Sequence, residues 1–287
     1  MGIPLAAAGG ALRLPASMYG RQLAFPLFDA RRPDLRRFVP GPNAELLQVL
    51  RKISVGEGEQ ALYLWGPPGT GKTHLLQAGC LHAVSRGLQT AYVSFADPGL
   101  SWQDLDALSS RRLVALDGLD RIAGEWEWEF RLLALYERLR EQGGTLLAAA
   151  GCGPRGLSLV LEDLRSRLCW GLVYRLRPLA EEDRVRALRL RAQSHALAVG
   201  DEVMRYLLSR APRDMHSLFA LMDGIAETCH ARKCRPSIAL VKEQLAATTG
   251  SDAPPRGDLP DRAVLQATAP KRVTLGRPVP PSGPTPG

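Results

Sequence analysis

Residues 66–73 read Gly-Pro-Pro-Gly-Thr-Gly-Lys-Thr. They fit the pattern G-x-x-x-x-G-K-[ST] without a mismatch, and the spacing has a chemical reason. Gly66, Gly69 and Gly71 let backbone N–H groups turn inward around phosphate oxygens. Lys72 is placed to reach the β- and γ-phosphates, and Thr73 offers its hydroxyl to Mg²⁺. The plainer reading is a Gly/Pro turn with no ligand. The flanks argue against it. Ala61-Leu62-Tyr63-Leu64-Trp65 suits a buried strand, and Thr73 to Val84 is a helix-forming run, so a phosphate would sit at a helix N-terminus. The chain therefore reads as a binder of a nucleoside phosphate, ADP or ATP, with Mg.

A second acid completes such a site. Leu113-Val114-Ala115-Leu116 ends in Asp117, four apolar residues and then a carboxylate that holds Mg²⁺ directly or through water. A lone strand ending in Asp is a weak signal. About 45 residues after a phosphate loop it is a good one. The next position in hydrolysing enzymes of this type is a second acid that polarises water. Here it is Gly118, and Asp120 is expected to point elsewhere.

The elements that must position these residues follow from periodicity. Apolar runs at 60–65, 90–95, 112–117, 144–150 and 171–176 alternate with helical patterns at 73–86, 125–142 and 161–169. Such alternation predicts βαβ units and a parallel sheet. Residues 180–247 show no strand signal and predict helices over 180–197, 200–210, 213–231 and 236–247, with Asp201 and Ser237 as N-caps. Residues 248–287 hold nine of the 22 prolines and few large apolar side chains, the composition of a disordered tail.

The 287 residues are 45% hydrophobic and 23% charged, enough for a substantial core, and the net charge of +8 permits contact with nucleic acid without demanding it. Only five of the 37 basic residues are lysines, a bias of little functional weight. Cys80, Cys152, Cys169, Cys229 and Cys234 form no Cys-x-x-Cys pair. They read as reduced thiols of a cytoplasmic protein. No apolar run reaches transmembrane length, and residues 1–17 lack the basic start of a signal peptide. Met18 is an alternative start.

Taken together, the phosphate loop, the Asp117 strand, an arginine-bearing box and a small helical lid resemble the AAA+ ATPases. Within them the chain resembles the DnaA initiator family, and more closely its Hda branch, regulatory inactivators of DnaA. The residues that carry the resemblance are Phe38-Val39-Pro40-Gly41-Pro42-Asn43, then Gly66 to His74, then Ile122-Ala123-Gly124. Ser166-Arg167-Leu168-Cys169-Trp170-Gly171 completes the set. It spans about 22–247. The implied fold is an α/β AAA+ module, a five-stranded parallel sheet flanked by helices, over 36–177, with an all-helical lid over 178–247. Residues 1–35 precede it as an N-terminal segment. With the folded part expected to end near 247, the helix-turn-helix domain of DnaA initiators is not expected here.

The resemblance also implies roles. Gly66, Gly69, Thr70, Gly71, Lys72, Thr73, His74, Val39 and His216 would contact nucleotide, and Thr73 and Asp117 would hold Mg. Arg167 would be an arginine finger acting in trans on ATP held by a neighbour; a surface arginine is the plainer reading. His216 stands where the lid arginine is expected, with Arg213 as a substitute, and Gly151-Cys152-Gly153 stands where a polar sensor is expected. These departures imply a chain that binds nucleotide and turns it over slowly. Gln22-Leu23-Ala24-Phe25-Pro26-Leu27 resembles the peptide by which Hda proteins dock on the DNA polymerase sliding clamp. Gln22 would bond the pocket rim, Leu23, Phe25 and Leu27 would fill it, and Pro26 would keep the segment extended.

The implied partners are the DnaA initiator and the sliding clamp, with DNA reached through the clamp, no membrane, and self-association left open. The competing reading is an autonomous nucleic-acid-associated AAA+ ATPase, such as a helicase loader or transposition helper. A bare DnaA-binding adaptor is a third. Two stretches receive bland readings. Trp126, Trp128, Phe130, Leu133 and Tyr136 read as core or partner-facing packing, and Arg184, Arg186, Arg189 and Arg191 as a solvated helix face. The clamp peptide generates its own test: alanine at Gln22, Leu23 and Phe25 together should abolish retention of the clamp in a pull-down while ADP binding stays intact. Undiminished clamp retention would show the peptide match to be accidental.

Overall fold

The computed structural model describes residues 33–212 and 214–250, with side chains to 247. The clamp-like peptide 22–27, Arg213 and the proline-rich stretch from 251 lie outside the described residues.

Five strands form one parallel sheet: β1 (Ala61–Trp65), β2 (Thr90–Ser94), β3 (Leu113–Asp117), β4 (Thr145–Ala150) and β5 (Leu172–Arg175), in the order β2-β3-β4-β1-β5. Each lies within one of the five runs expected from periodicity. Parallel strands covered on both faces read as continuous apolar runs, as these do. Alternate side chains feed two cores. Leu62 and Leu64 of β1 enter one with α1 (Ala44–Ile53) and α2 (Lys72–Ser85). Tyr63 enters the other with α3 (Trp126–Glu141) and α4 (Glu162–Trp170). Helix α1 is held by Leu46, Leu47, Leu50 and Ile53, one buried stripe at helical spacing.

The connection leaving β1 runs to β2 on one side, and the one leaving β4 runs to β5 on the other. The crevice at the C-terminal ends of β1 and β4 is therefore the switch point where an open α/β sheet binds ligands. The register places Asp117 level with Ala149, which is level with Leu64. The phosphate loop leaves β1 one residue past Trp65, so the loop and Asp117 face each other across the end of one strand.

The lid consists of α5 (Glu181–Ser194), α6 (Asp201–Arg210), α7 (Met215–Arg232) and α8 (Ile238–Gly250), packed around Leu188, Met204, Leu207, Leu218, Met222, Ile225 and Val241. Ser237 caps α8, its hydroxyl accepting the Leu240 N–H at 3.3 Å. Asp201 is not a cap: Gly200 takes that position, and the Asp201 carboxylate pairs with Arg189 at 2.6 Å. A short-chain acid one residue inside the helix faces outward, free for a partner on the neighbouring helix. Nor is the α5 arginine run merely solvated. Arg191 forks onto Asp223 of α7 (2.7 and 2.5 Å), and His195 shares the same carboxylate at 2.8 Å.

The aromatic run on α3 divides. Tyr136 is buried, Trp128 and Leu133 pack against the core, and Trp126 and Phe130 stack on each other at 5.1 Å in solvent. Between them lies an unexpected group, Glu129, which is 0% exposed. Its carboxylate accepts the N–H groups of Gly124 (2.7 Å), Val160 (2.9 Å) and Leu161 (2.8 Å). It staples the turn after β3 to the loop that opens α4. Glu129→Ala would strand three amides, each costing about 1–3 kcal/mol when buried and unpaired. The expected result is a loss of about 3 kcal/mol or more in urea unfolding followed by circular dichroism. Wild-type stability would show the carboxylate to be dispensable.

Candidate nucleotide site and its arginine-bearing edge

The phosphate loop turns where the chain must lack side chains. Gly71 has φ +95°, and a Cβ there would lie 3.0 Å from the Phe38 ring. That contact seats the 38–43 loop on the phosphate loop. Asn43 locks the loop in turn: its amide donates to the Arg177 carbonyl at 3.0 Å and accepts the Arg177 N–H at 2.9 Å. Val39 of the same loop is buried, at 5% exposure. Asn43 belongs to the motif quoted from sequence, but its role as a clamp on the exit of β5 is visible only in three dimensions.

Lys72 opens α2, with its ammonium donating to the carbonyls of Gly66 (2.7 Å) and Pro67 (3.0 Å). Burial lowers its pKa, and the charges of Asp117 and Asp120 oppose that shift. Thr73 donates its hydroxyl to Asp117 Oδ2 at 2.6 Å, and Tyr92 of β2 donates to the same oxygen at 2.8 Å. Thr73 and Asp117, paired in the sequence only by motif logic, are thus in direct contact. Tyr92 is a site residue that the motifs do not mention; its place on the strand next to β3 was the available signal. A hydroxyl and a carboxylate converging beside the phosphate-loop lysine are a fitting donor set for Mg²⁺.

The remaining expected contacts are placed unevenly. Thr70 bonds its own loop at Pro67 (2.9 Å). His74 stacks on Phe38 (centroids 5.8 Å apart) and its ring nitrogen lies 3.4 Å from the Asp34 carbonyl. Burial lowers its pKa, an effect reinforced by the Arg191 charge and opposed by the Asp34 carbonyl, so the neutral ring dominates near pH 7. Helix α7 begins against the loop. A Cβ on Gly69 would lie 3.1 Å from Asp214 Cβ and 3.4 Å from the Met215 nitrogen. His216, two residues past Asp214, is exposed at that helix start.

The acid missing at 118 is not a simple deletion. Gly118 has φ +84°, a conformation that L side chains rarely adopt, so the backbone itself departs from one that carries a carboxylate there. Asp120 does not point away as expected. Its Oδ1 accepts the Gly151 N–H at 3.0 Å, joining the turn after β3 to the end of β4. The 3₁₀ turn Leu119–Arg121 swings it back toward the site.

Arg167 stands on the last turn of α4, flanking the stripe of buried Leu164 and Leu168, with its side chain 27% exposed. It ion-pairs through Nε with Glu137 of α3, without hydrogen-bond alignment, and its guanidinium lies 3.9 Å from the Trp170 ring centroid. The structure thus gives this arginine two contacts within its own chain. Gly171 fixes the end of α4: a Cβ there would sit 2.5 Å from the Ala61 carbonyl oxygen. The Ser-Arg-Leu-x-Trp-Gly box thus has a physical sense, with leucines to anchor the helix, glycine to bring it against β1, and Arg167 and Trp170 three residues apart on the outer face.

A 610 Å³ cleft lined in part by Arg36, Arg51 and His82 lies at the far end of α2 and has no part in this geometry. Because Lys72 bonds only loop carbonyls, removing it should spare the fold and remove the charge that balances phosphate. Lys72→Ala is expected to weaken ADP binding by about 100-fold or more, two charge-assisted bonds at about 1.5–3 kcal/mol each. Wild-type affinity in a calorimetric titration would overturn that assignment.

Comparison with known proteins agrees with this architecture. Residues 181–245 match the family model of the Hda lid domain, and residues 34–108 match that of the IstB-like ATP binding proteins. Among solved structures, domain III of the replication initiation protein DnaA from Thermotoga maritima superposes with a TM-score of 0.67 at 19% identity, covering 76% of this chain and 97% of that one. AMPPCP-bound DnaA from Aquifex aeolicus gives 0.62 at 20% identity, covering 77% and 70%. The RuvB Holliday junction branch migration motor of Thermotoga maritima gives 0.58 at 19%, covering 76% and 72%. No helix among the described residues is long and apolar enough to cross a membrane. The five-stranded parallel sheet followed by a helical lid is thus the fold of DnaA domain III, with residues 181–245 similar to the Hda lid domain and residues 34–108 similar to the IstB-like ATP binding proteins.

Proposed function

We propose that this chain restrains replication initiation by completing, in trans, the ATPase site of DnaA. In this reading the nucleotide-bound chain docks on the DNA-loaded sliding clamp through Gln22, Leu23, Phe25, Pro26 and Leu27. It then presents Arg167 to ATP held by DnaA, and the ADP form of DnaA that results no longer initiates. The observation that carries the reading is Arg167 on the last turn of α4, partly exposed and stacked on the solvent-facing Trp170. A planar guanidinium that never loses its charge suits the spread of charge on a transferring phosphoryl group. The Hda-type lid supports the choice of partner.

The chain's own nucleotide has a structural part. Gly66, Gly69, Gly71 and Lys72 would hold its phosphates, and Thr73 and Asp117 would hold Mg²⁺, which neutralises phosphate charge when bound. Gly118 offers nothing to polarise water. Isolated turnover should therefore fall well below the typical value of about 1 per second or more.

The second reading, an autonomous ATPase acting on nucleic acid, is favoured by the match of residues 34–108 to IstB-like ATP binding proteins and by Asp120 turned toward the site. Turnover of the chain alone, with and without DNA, discriminates the two: brisk, DNA-stimulated hydrolysis would favour the second.

Arg167→Ala is the decisive variant. Its pair with Glu137 is about two-thirds buried, so the variant should lose some stability, but an arginine finger is worth roughly 10³–10⁵ in rate. The variant should keep ADP and clamp binding and lose stimulation of DnaA-bound ATP hydrolysis. Arg167→Lys should fail nearly as badly, because an ammonium lacks the fork. Wild-type stimulation by either variant would overturn the proposal.

A further inference from the structure

Trp170 is 56% exposed, and among the described residues it joins none of the three buried clusters. A large indole left in solvent contributes little to the core. What it does contact is charge: the Arg167 guanidinium at 3.9 Å and that of Arg140 at 5.2 Å from its ring centroid. Arg140 in turn reaches Glu137 at 3.8 Å, and Glu137 pairs with Arg167 Nε. Two arginines, one carboxylate and one indole form a closed surface cluster between the ends of α3 and α4.

We infer that Trp170 is a positioning residue for Arg167, a platform that presents the guanidinium to a nucleoside triphosphate carried by another protein. The inference rests on the trans-acting reading of Arg167 given above. A free arginine side chain samples many rotamers, and docking would otherwise have to remove that freedom. The indole takes one face of the guanidinium and Glu137 takes its Nε side. The terminal Nη edge is then the part turned to a phosphate, the edge that makes forked contacts. The platform itself is rigid: Leu164 and Leu168 anchor the helix, and Gly171, pressed on the Ala61 carbonyl, fixes the residue after Trp170. Arg140 over the same indole adds positive charge beside Arg167.

The test uses the full chain with clamp, DNA and ATP-bound DnaA. Trp170→Ala should lower the maximal rate of DnaA-bound ATP hydrolysis by about tenfold, the scale of a partly desolvated cation–π contact. The concentration giving half-maximal stimulation should stay unchanged, as should ADP affinity. Trp170→Phe should restore most of the rate, and Trp170→Leu, which keeps bulk but has no π face, should not. Nitrogen-15 NMR of the Arg167 side chain should show a ring-current shift in the wild type that Trp170→Ala removes, which reads the stack without any partner present. Absence of that shift in the wild type overturns the inference. So does full stimulation by Trp170→Ala or Trp170→Leu while Arg167→Ala stays inert, an outcome that leaves the trans-acting reading standing. Stimulation by Arg167→Ala at the wild-type rate overturns both.

Discussion

The hydrogen bond from Thr73 to Asp117, 2.6 Å long, is the contact on which the nucleotide site depends. It joins a helix start to a strand end 44 positions away, and it forms only because β4 is all that separates β1 from β3. The three strands are in register along Leu64, Ala149 and Asp117, so the loop leaving β1 and the acid ending β3 reach the same edge. The alanines Ala148, Ala149 and Ala150 that end β4 place nothing bulky between them. Tyr92 then arrives from the adjacent strand β2 with a second donor to the same oxygen.

The same sheet sets the outer edge. The segment leaving β4 crosses to β5 beside β1, carrying α4 with it, and the close approach of Gly171 to Ala61 fixes where that helix ends. Glu129 controls how α4 begins, by holding the amides of Val160 and Leu161 from below. Arg167 is therefore located by a buried carboxylate at one end of its segment and a missing Cβ at the other. Neither group touches the arginine. Both belong to the module's own packing, so the position of Arg167 is set within this chain.

The interior of the site shows the opposite tendency. Gly118 in a left-handed conformation and Gly151 at the end of β4 carry no side chains of their own, Arg121 lies against Gly118, and Asp120 spends one carboxylate oxygen on the Gly151 amide. Lys72, Thr73 and Asp117 meanwhile converge at one edge of the sheet.

Much of this was legible in the sequence, for physical reasons that act locally. Strand and helix order followed from hydrophobic period, the phosphate loop from glycines at fixed spacing, and Asp117 from its place after an apolar run. Ser237 read correctly as a cap because a cap bonds within its own turn. Asp201 did not, since one residue of shift turns a cap into an ion-pair partner. What the sequence could not express were choices between partners distant along the chain. Asn43 finds Arg177 across 134 positions, Glu129 finds Val160 across 31, and Arg167 finds Glu137 on another helix. Composition and spacing determined which residues could bind phosphate. Only the parallel pairing of the strands decided which of them meet, because a side chain's partner is set by distance in the folded sheet and not by separation along the chain.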